Sequence, residues 1–209
     1  MDKRSLGQFF TKDHVWLYDN ILKFIEENKK DIVYDPFAWD WDLLKLGIDN
    51  LWFKQKKWLD IDKNLKWDYN DSLIQIPKID NSFIITNPPY LWKSSAKRRW
   101  IYNKIEKYFN NNAEADDLYK IWLKKLIETN ISWIAIIPET FLNSSFFKLP
   151  YIYQNINFIT IVEANPFNDT EVPICIVWFN WKNKWKIKIY KNNKFIWNLE
   201  ELEKLKNIL

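Results

Sequence analysis

The stretch SFIITNPPY, which runs from Ser82 to Tyr90, decides the fold of this chain. Its first five residues are mostly apolar or β-branched, which predicts a short buried strand. The double proline must end that strand, because proline lacks the backbone N–H that a central strand donates. Two earlier segments, DIVYDPF from Asp31 and KKWLDID from Lys56, have the same form of an apolar run followed by polar residues. We therefore predict three buried strands with polar ends.

Helical patterns alternate with strand patterns along the chain. Apolar residues between Lys12 and Lys30 fall on one helical face, and the segment Asp116–Thr129 begins with acidic residues and continues with lysines, as the helix dipole favours. SWIAIIP and NFITIVEA predict strands on either side of a helix in ETFLNSSFF, and VPICIVWFNW with KWKIKIYKNN predicts a terminal antiparallel hairpin. We expect an α/β fold with a mostly parallel central sheet, helices on both faces and an antiparallel C-terminal hairpin.

Length and composition limit the classes of protein to which the chain can belong. Its 209 residues suit a single domain, with an N-terminal segment (1–30), a core (31–180) and a C-terminal strand and tail (181–209). No apolar run reaches the roughly 20 residues of a membrane span and no signal peptide is recognisable, so we expect a cytoplasmic protein. One cysteine, Cys175, and one histidine, His14, predict neither a disulfide nor a metal site. The net charge of +4 mildly favours a polyanionic partner.

Polar residues follow four predicted strands. In an open α/β sheet the ligand binds at the carboxyl ends of the strands, because those ends meet in one crevice. We therefore expect the functional site among four segments: Asp35–Asp42, Asp60–Asp62, Asp71–Leu73 and Asn87–Tyr90.

The turn NPPY supplies what a weakly nucleophilic amino group needs. The lone pair of an aryl amine is delocalised, and the Asn87 side-chain oxygen and the Pro88 carbonyl can accept its two hydrogens and favour a pyramidal nitrogen. Pro88 and Pro89 fix the backbone, and Tyr90 offers an aromatic face on which a base can stack. NPPY resembles the catalytic motif of amino-directed class I methyltransferases, which transfer a methyl group from S-adenosylmethionine to amide or exocyclic nitrogens.

Two further motifs narrow this resemblance. LGQFFT, from Leu6 to Thr11, is similar to the N-terminal cofactor motif of DNA adenine-N6 methyltransferases with the gamma motif order, and DPFA resembles the start of their cofactor loop. The resemblance implies a Rossmann-like class I fold and S-adenosylmethionine as cofactor, with Asp60 at its ribose hydroxyls and Asp71 at its adenine amino group. The residues that the resemblance assigns to the cofactor are Gln8, Phe10, Thr11, Asp35, Pro36, Phe37, Ala38, Asp60, Asp71, Ser72 and Leu73.

The resemblance also implies a DNA substrate with a flipped adenine. NPFNDTEVPICIVWF resembles the late motif that holds the flipped base, which makes Phe167 a candidate stacking partner. We expect a site-specific DNA adenine-N6 methyltransferase, the modification part of a restriction-modification system. No complete target-recognition domain is expected, so recognition would come from a separate specificity or restriction subunit or from a longer protein. The basic segment KSSAKRR after the catalytic turn is predicted to be a loop that contacts DNA phosphates through Lys93, Lys97, Arg98 and Arg99.

Tryptophan occupies positions at which this resemblance requires glycine. After DPFA the family's loop continues with two glycines separated by one residue, and here those positions are Trp39 and Trp41. Glycine is needed because the backbone turns tightly and approaches the cofactor with no Cβ in the way. The chain has fourteen tryptophans and two glycines, whereas average usage of roughly 7% predicts about fifteen glycines. Our hypothesis is that the gene uses UGA for glycine and that this chain reads UGA as tryptophan.

The same exchange would place glycine at Trp58, just before the acidic strand end, whereas Trp122 fits its predicted helix as a genuine tryptophan. Alternatively the tryptophans are genuine, and the chain is a catalytically inactive DNA-binding or partner subunit. Methyltransferases of the same fold that modify release-factor glutamine or ribosomal RNA guanine also use NPPY, so those substrates stay open. Tryptophans at predicted turns where glycine would suit are Trp52, Trp92, Trp100 and Trp133.

Overall fold

The computed structural model describes residues 17–39, 42–45, 53–163, 172–180 and 187–199. Within these ranges the strands are β1 (Ile32–Asp35), β2 (Gln55–Asp60), β3 (Asp68–Tyr69), β4 (Ser82–Thr86), β5 (Ser132–Pro138), β6 (Phe158–Ile161), β7 (Ile174–Phe179), β8 (Lys188–Lys191) and β9 (Lys194–Asn198). The helices are α1 (Asp19–Asn28), α2 (Asp42–Lys45), α3 (Lys93–Arg98), α4 (Tyr102–Phe109), α5 (Leu118–Glu128), α6 (Pro150–Tyr153) and a 3-10 helix (Glu139–Asn143).

The strands form one mixed sheet in the order β3-β2-β1-β4-β5-β7-β6-β8-β9. The pairs from β3 to β5 are all parallel, and β7 lies antiparallel between β5 and β6. The predicted architecture, a mostly parallel sheet with antiparallel C-terminal strands, is confirmed. The strand order changes direction between β1 and β4, because the chain moves outward from β1 to β3 and then returns to β4 on the other side. This reversal opens a crevice at the carboxyl ends of β1 and β4.

The central strands are buried along their length, as their continuous apolar runs predict. All five residues of β4 and all six of β7 are buried, and Cys175 in β7 is fully buried as a small apolar side chain. Helix α1 packs on this sheet through Phe24, whose ring lies 4.5 Å from that of Trp178 and 6.0 Å from that of Phe83. Phe83 is the second residue of β4, so this contact anchors α1 near the start of the strand that precedes the turn Asn87–Tyr90.

The C-terminal strands do not pair as predicted, because β7 and β8 do not form the expected hairpin. β8 pairs with β6 in parallel rather than with β7, and the hairpin is formed by β8 and β9. The turn between them is only two residues long, and Asn192 in it has a φ of 52°. Asparagine tolerates the left-handed conformation that such a tight turn requires, so the local turn decides the hairpin.

The helix predicted in ETFLNSSFF is also shorter than expected, since only Glu139–Asn143 is helical, with 3-10 geometry. None of the helices in the described ranges has the length and apolar character to cross a membrane.

Candidate active site

The turn Asn87–Tyr90 follows β4 directly and lies at the crevice where the strand order reverses. The Tyr90 hydroxyl is 2.5 Å from the Asn87 side-chain oxygen and 2.7 Å from the Ile136 carbonyl oxygen of β5, so either oxygen can accept its single proton. Burial raises the pKa of Tyr90 well above its ordinary value, which keeps the hydroxyl a donor. The Tyr90 ring is buried and meets the ring of Tyr119 edge-on at 6.2 Å. In this conformation Tyr90 points into the protein and covers Asn87.

Asp35, at the end of β1, is hydrogen-bonded to β4, the strand that leads into the turn Asn87–Tyr90. Its Oδ1 accepts a hydrogen bond from the Thr86 hydroxyl at 2.6 Å and another from the Phe37 backbone N–H at 2.9 Å. Burial, with a smaller contribution from the nearby charge of Asp60, raises the pKa of Asp35 to about 7, although the hydrogen bonds from Thr86 and Phe37 oppose the rise. The start of the cofactor-like loop is thereby fixed against the residue that precedes Asn87.

The raised pKa of Asp35 gives the fold a pH dependence with a definite sign. Because the folded state holds this proton more tightly than the unfolded state, the stabilising contribution is full at low pH and is lost as pH rises through about 7. We expect the free energy of unfolding in urea to fall by about 3 kcal/mol between pH 5 and pH 8 on account of Asp35. Asp35→Asn should remove that part of the slope, whereas Asp80→Asn, at an exposed position, should retain it. Equal slopes for wild type and Asp35→Asn would contradict the assignment.

Asp60, at the end of β2, faces the same crevice and has both carboxylate oxygens engaged by the backbone. Oδ2 accepts from the Trp39 N–H at 3.0 Å, and Oδ1 accepts from the Asp62 N–H at 2.8 Å. Burial raises the pKa of Asp60 as well. Asp62 therefore supports Asp60 through its backbone N–H, and the assignment of Asp60 to the ribose hydroxyls stays a prediction.

Trp39 does not suit the position that it occupies in this crevice. Its φ is 36°, in the left-handed region that favours glycine. Its carbonyl accepts a hydrogen bond from the Trp67 indole at 2.8 Å, and Trp67 stacks on Trp58 at 5.1 Å, so aromatic side chains crowd the backbone beside Asp60. The acidic residues fit S-adenosylmethionine, because carboxylate oxygens accept hydrogen bonds from ribose hydroxyls. Trp39 does not fit it, because its side chain adds bulk where the cofactor must approach the main chain.

The other tryptophans predicted at turns divide into different cases. Trp100 has a φ of 57° and is 91% exposed. Glycine would suit this position, because it adopts a positive φ without strain and leaves no large apolar ring in water. Trp92 has an ordinary φ of −63°, and Trp133 is fully buried inside β5 rather than at a turn, which corrects those two predictions. Trp122 is fully buried in α5, as expected of a genuine tryptophan. Trp52 and Trp41 lie outside the described residues.

Asp71 is in contact with α4, an element that the sequence did not link to the site. Its Oδ2 accepts from the Tyr108 hydroxyl at 2.9 Å and from the Lys107 ammonium at 3.2 Å. The chain between β2 and Asp71 is itself tied to the crevice, since the Asn70 N–H donates to the Asp60 carbonyl at 2.8 Å. Asp71 thus lies beside Asp60, and the adjoining Ser72 and Leu73 side chains are buried. No residue pattern in the sequence indicated the contact with α4, because it depends on a tertiary fold-back.

The basic segment after the turn Asn87–Tyr90 is a helix rather than the predicted loop. Lys93–Arg98 forms α3, since alanine, lysine and arginine all favour helices. The side chains of Lys97, Arg98 and Arg99 are exposed, whereas Lys93 is half-buried with its ammonium 5.5 Å from the Phe109 ring centre. These cations follow the turn Asn87–Tyr90 along the chain, on α3 and at Arg99, the residue that ends it.

The structure brings Asp35, Asp60 and Asn87 to the carboxyl ends of three neighbouring strands, β1, β2 and β4. Those predicted residues that fall outside the described part of the chain are Gln8, Phe10, Thr11 and Phe167. In the part of the chain that the structure describes, no group of three or more His, Cys, Asp or Glu side chains is arranged to hold a metal ion.

Solved structures share this architecture. A protein from Listeria monocytogenes assigned to the class I S-adenosylmethionine-dependent methyltransferases matches with a TM-score of 0.52 and 13% identity over 82% of this chain and 61% of that chain. The methyltransferase subunit of a type I restriction-modification system from Streptococcus thermophilus matches with a TM-score of 0.56 and 14% identity over 97% and 53%. DrdV, in a complex with DNA, matches with a TM-score of 0.59 and 12% identity over 98% and 29%.

These matches concern the fold. No protein-family model matches the chain, and no curated protein matches it. The chain has the Rossmann-like fold of class I S-adenosylmethionine-dependent methyltransferases, and its structural neighbours include methyltransferases of restriction-modification systems. It spans between 29% and 61% of the lengths of the three proteins described above.

Proposed function

We propose that this chain is the catalytic part of a DNA methyltransferase that transfers a methyl group from S-adenosylmethionine to the N6 amino group of adenine, as the modification component of a restriction-modification system. The observation that carries the proposal is the position of NPPY, directly after β4 at the reversal of strand order and hydrogen-bonded through Thr86 to Asp35. The structural neighbours of the chain include a protein in complex with DNA and a subunit of a restriction-modification system, which supports DNA as the substrate class.

In the proposed reaction the chain aligns the amine and needs no strong base. The Asn87 side-chain oxygen and the Pro88 carbonyl accept the two hydrogens of the target amine, while Pro88 and Pro89 keep the turn rigid. The cofactor supplies the methyl group when it is bound, and the amine loses a proton to solvent afterwards. Because the Tyr90 hydroxyl occupies the Asn87 oxygen in this structure, Tyr90 must turn outward before the adenine enters. Its ring is then available to stack on the base.

The functional form of the chain has glycine at position 39 in this proposal. Two independent observations support it: the left-handed backbone of Trp39 and the scarcity of glycine in a chain with fourteen tryptophans. Trp100 has the same backbone feature at a distance from the crevice. A different genetic code would replace glycine by tryptophan throughout the chain, including at an unrelated turn such as this one. Loss of function at one site would change only the residues of that site.

The exposed cations of α3 would contact DNA phosphates beside the flipped base. Lys97, Arg98 and Arg99 point to solvent next to the catalytic turn, and phosphate contacts of this kind fix the position of a protein on DNA without reading its sequence. Phe167 stays a candidate for the second face of the base. Recognition of the DNA sequence is assigned to a separate subunit or to further parts of a longer protein.

The proposal is tested by nucleoside mass spectrometry of adenine-rich, mixed-sequence DNA after incubation with S-adenosylmethionine. The chain with Trp39→Gly, Trp41→Gly and Trp58→Gly is expected to form N6-methyladenine, and the unsubstituted chain is not. A release factor and ribosomal RNA serve as alternative substrates in parallel reactions. Methylglutamine or methylguanine in place of methyladenine would transfer the activity to another substrate. Cofactor and DNA binding without methylation of any substrate would contradict the proposal and favour an inactive binding subunit.

A further inference from the structure

The segment that follows the catalytic turn is held by the start of α5. The Leu91 N–H donates to the Asp117 Oδ1 at 2.9 Å, and the Leu118 N–H donates back to the Leu91 carbonyl at 3.3 Å. The Lys93 N–H donates to the Asp116 carbonyl at 2.7 Å, and Trp92 and Asp117 form an antiparallel bridge. The backbone directly after Tyr90 is thus tied to residues 116–118 over three consecutive positions.

Asp117 has more than the role of a helix cap. Its Oδ1 also accepts from the Tyr119 N–H at 3.3 Å, which caps α5. The residue is fully buried, and among the residues that the structure describes its Oδ2 has no hydrogen-bond partner. A serine or threonine would cap the helix without a buried carboxylate. The side-chain oxygen of serine or threonine is one bond closer to the main chain than Asp117 Oδ1, so we expect neither residue to reach the Leu91 N–H.

The electrostatic setting of Asp117 is equally unusual for a cap. Burial, with a smaller contribution from the Asp116 charge, raises its pKa to about 7, while the hydrogen bonds from the Leu91 and Tyr119 N–H groups and the Lys120 charge oppose the rise. Lys120 is itself buried and pairs with Asp116 at 2.5 Å.

We propose that Asp117 is a positioning residue for the catalytic turn, fixing the backbone after Tyr90 so that the Asn87 oxygen and the Pro88 carbonyl keep their relative positions. The catalytic part of this inference rests on the proposed function, whereas the hydrogen bond between Leu91 and Asp117 is independent of it. The turn is then held from two sides. Asp35 and Thr86 fix the strand end before it, and Asp117 fixes the chain after it.

Three substitutions distinguish the contact of Asp117 with Leu91 from its role as the cap of α5. Asp117→Asn keeps an acceptor of the same length for both the Leu91 and Tyr119 N–H groups. Asp117→Ser keeps a good helix cap but is too short to reach Leu91. Asp116→Asn, at the neighbouring half-exposed position, is the matched control for a change of charge near the same helix end.

The first measurement is amide hydrogen exchange in the full chain, which needs no catalytic activity. We expect Asp117→Ser to speed exchange at Leu91 by at least about ten-fold, with the amides of α5 changed by less than about two-fold. Asp117→Asn and Asp116→Asn should leave Leu91 protected. Unchanged exchange at Leu91 in Asp117→Ser, or an equal rise throughout α5, would overturn the inference.

The second measurement is the kinetics of DNA methylation in the chain with the three tryptophan-to-glycine substitutions. We expect Asp117→Ser to lower kcat by at least about ten-fold with the KM for S-adenosylmethionine unchanged, and Asp117→Asn to restore kcat. An exchange effect without any loss of kcat would overturn the positioning role. Failure of the proposed function is distinguishable, because it would appear as no methylation in the parent chain while the exchange result still decides on the contact.

Discussion

Substitution of glycine for Trp39 and Trp41 is expected to give binding of S-adenosylmethionine that is at least about 100-fold tighter than binding to the unsubstituted chain, which corresponds to about 2.7 kcal/mol. Trp39 has a φ of 36°, a conformation that costs a residue with a Cβ about 1–2 kcal/mol and costs glycine little. Removal of its indole also opens the space beside Asp60, whose carboxylate can then accept the ribose hydroxyls. Isothermal titration calorimetry with the cofactor measures the effect directly.

Trp122 provides the matched control for this prediction. It is fully buried in α5, and its ring lies 5.8 Å from that of Phe37. Trp122→Gly leaves a large cavity and puts glycine inside a helix, so we expect it to lower the free energy of unfolding by at least about 3–5 kcal/mol. The same change of residue should therefore improve binding at position 39 and destabilise the fold at position 122.

Two results would contradict the glycine interpretation of position 39. The first is a folded Trp39→Gly, Trp41→Gly chain that still binds no cofactor, since the acidic residues of the crevice would then be insufficient. The second is peptide mass spectrometry of the protein from its native host that finds tryptophan at this position. The two measurements are independent, because one tests what the crevice accepts and the other tests what the gene encodes.

The fold could be predicted from local patterns where those patterns are strong. SWIAIIP became β5 residue for residue, and SFIIT became β4, because continuous β-branched and apolar runs have few alternatives to a buried strand. The polar strand ends Asp35 and Asp60 could be placed for the same reason, since strand direction fixes the edge at which they emerge. The parallel pairing of β8 with β6 could not be predicted. It joins segments that are distant along the chain, and no turn between them decides the register.

The contacts of the site that the sequence could not predict share one physical cause. The Tyr108 hydroxyl reaches Asp71 across 37 positions of the chain, and the Asp117 carboxylate reaches Leu91 across 26. Each side chain has an ordinary local interpretation, as a helix residue or a helix cap. Only the three-dimensional fold shows that the same atoms also support the crevice. Backbone conformation could not be predicted either. Composition shows only that tryptophan is in excess and glycine scarce, whereas the positive φ of Trp39 gives a physical reason to expect glycine at that position.

Asn87→Ala is expected to lower the rate of DNA methylation by at least about 1,000-fold in the chain with the three tryptophan-to-glycine substitutions, because the target amine loses the side-chain acceptor that aligns it. The affinity for S-adenosylmethionine should stay within about two-fold, since Asn87 is assigned to the base rather than to the cofactor. Single-turnover kinetics and calorimetry measure the two effects separately. An equal loss of cofactor affinity would contradict that assignment.

Tyr90→Phe is the control that isolates the role of the Asn87 oxygen. In the structure the Tyr90 hydroxyl lies 2.5 Å from that oxygen and 2.7 Å from the Ile136 carbonyl, so it holds the acceptor before the adenine arrives. Phenylalanine keeps the ring for stacking and removes the hydrogen bond from the Tyr90 hydroxyl to that oxygen, and we expect the methylation rate to stay within about three-fold of the parent or to exceed it. A loss as large as that of Asn87→Ala would mean that the hydroxyl itself acts in the reaction. A small change would assign the alignment of the amine to Asn87 and leave Tyr90 with the stacking surface.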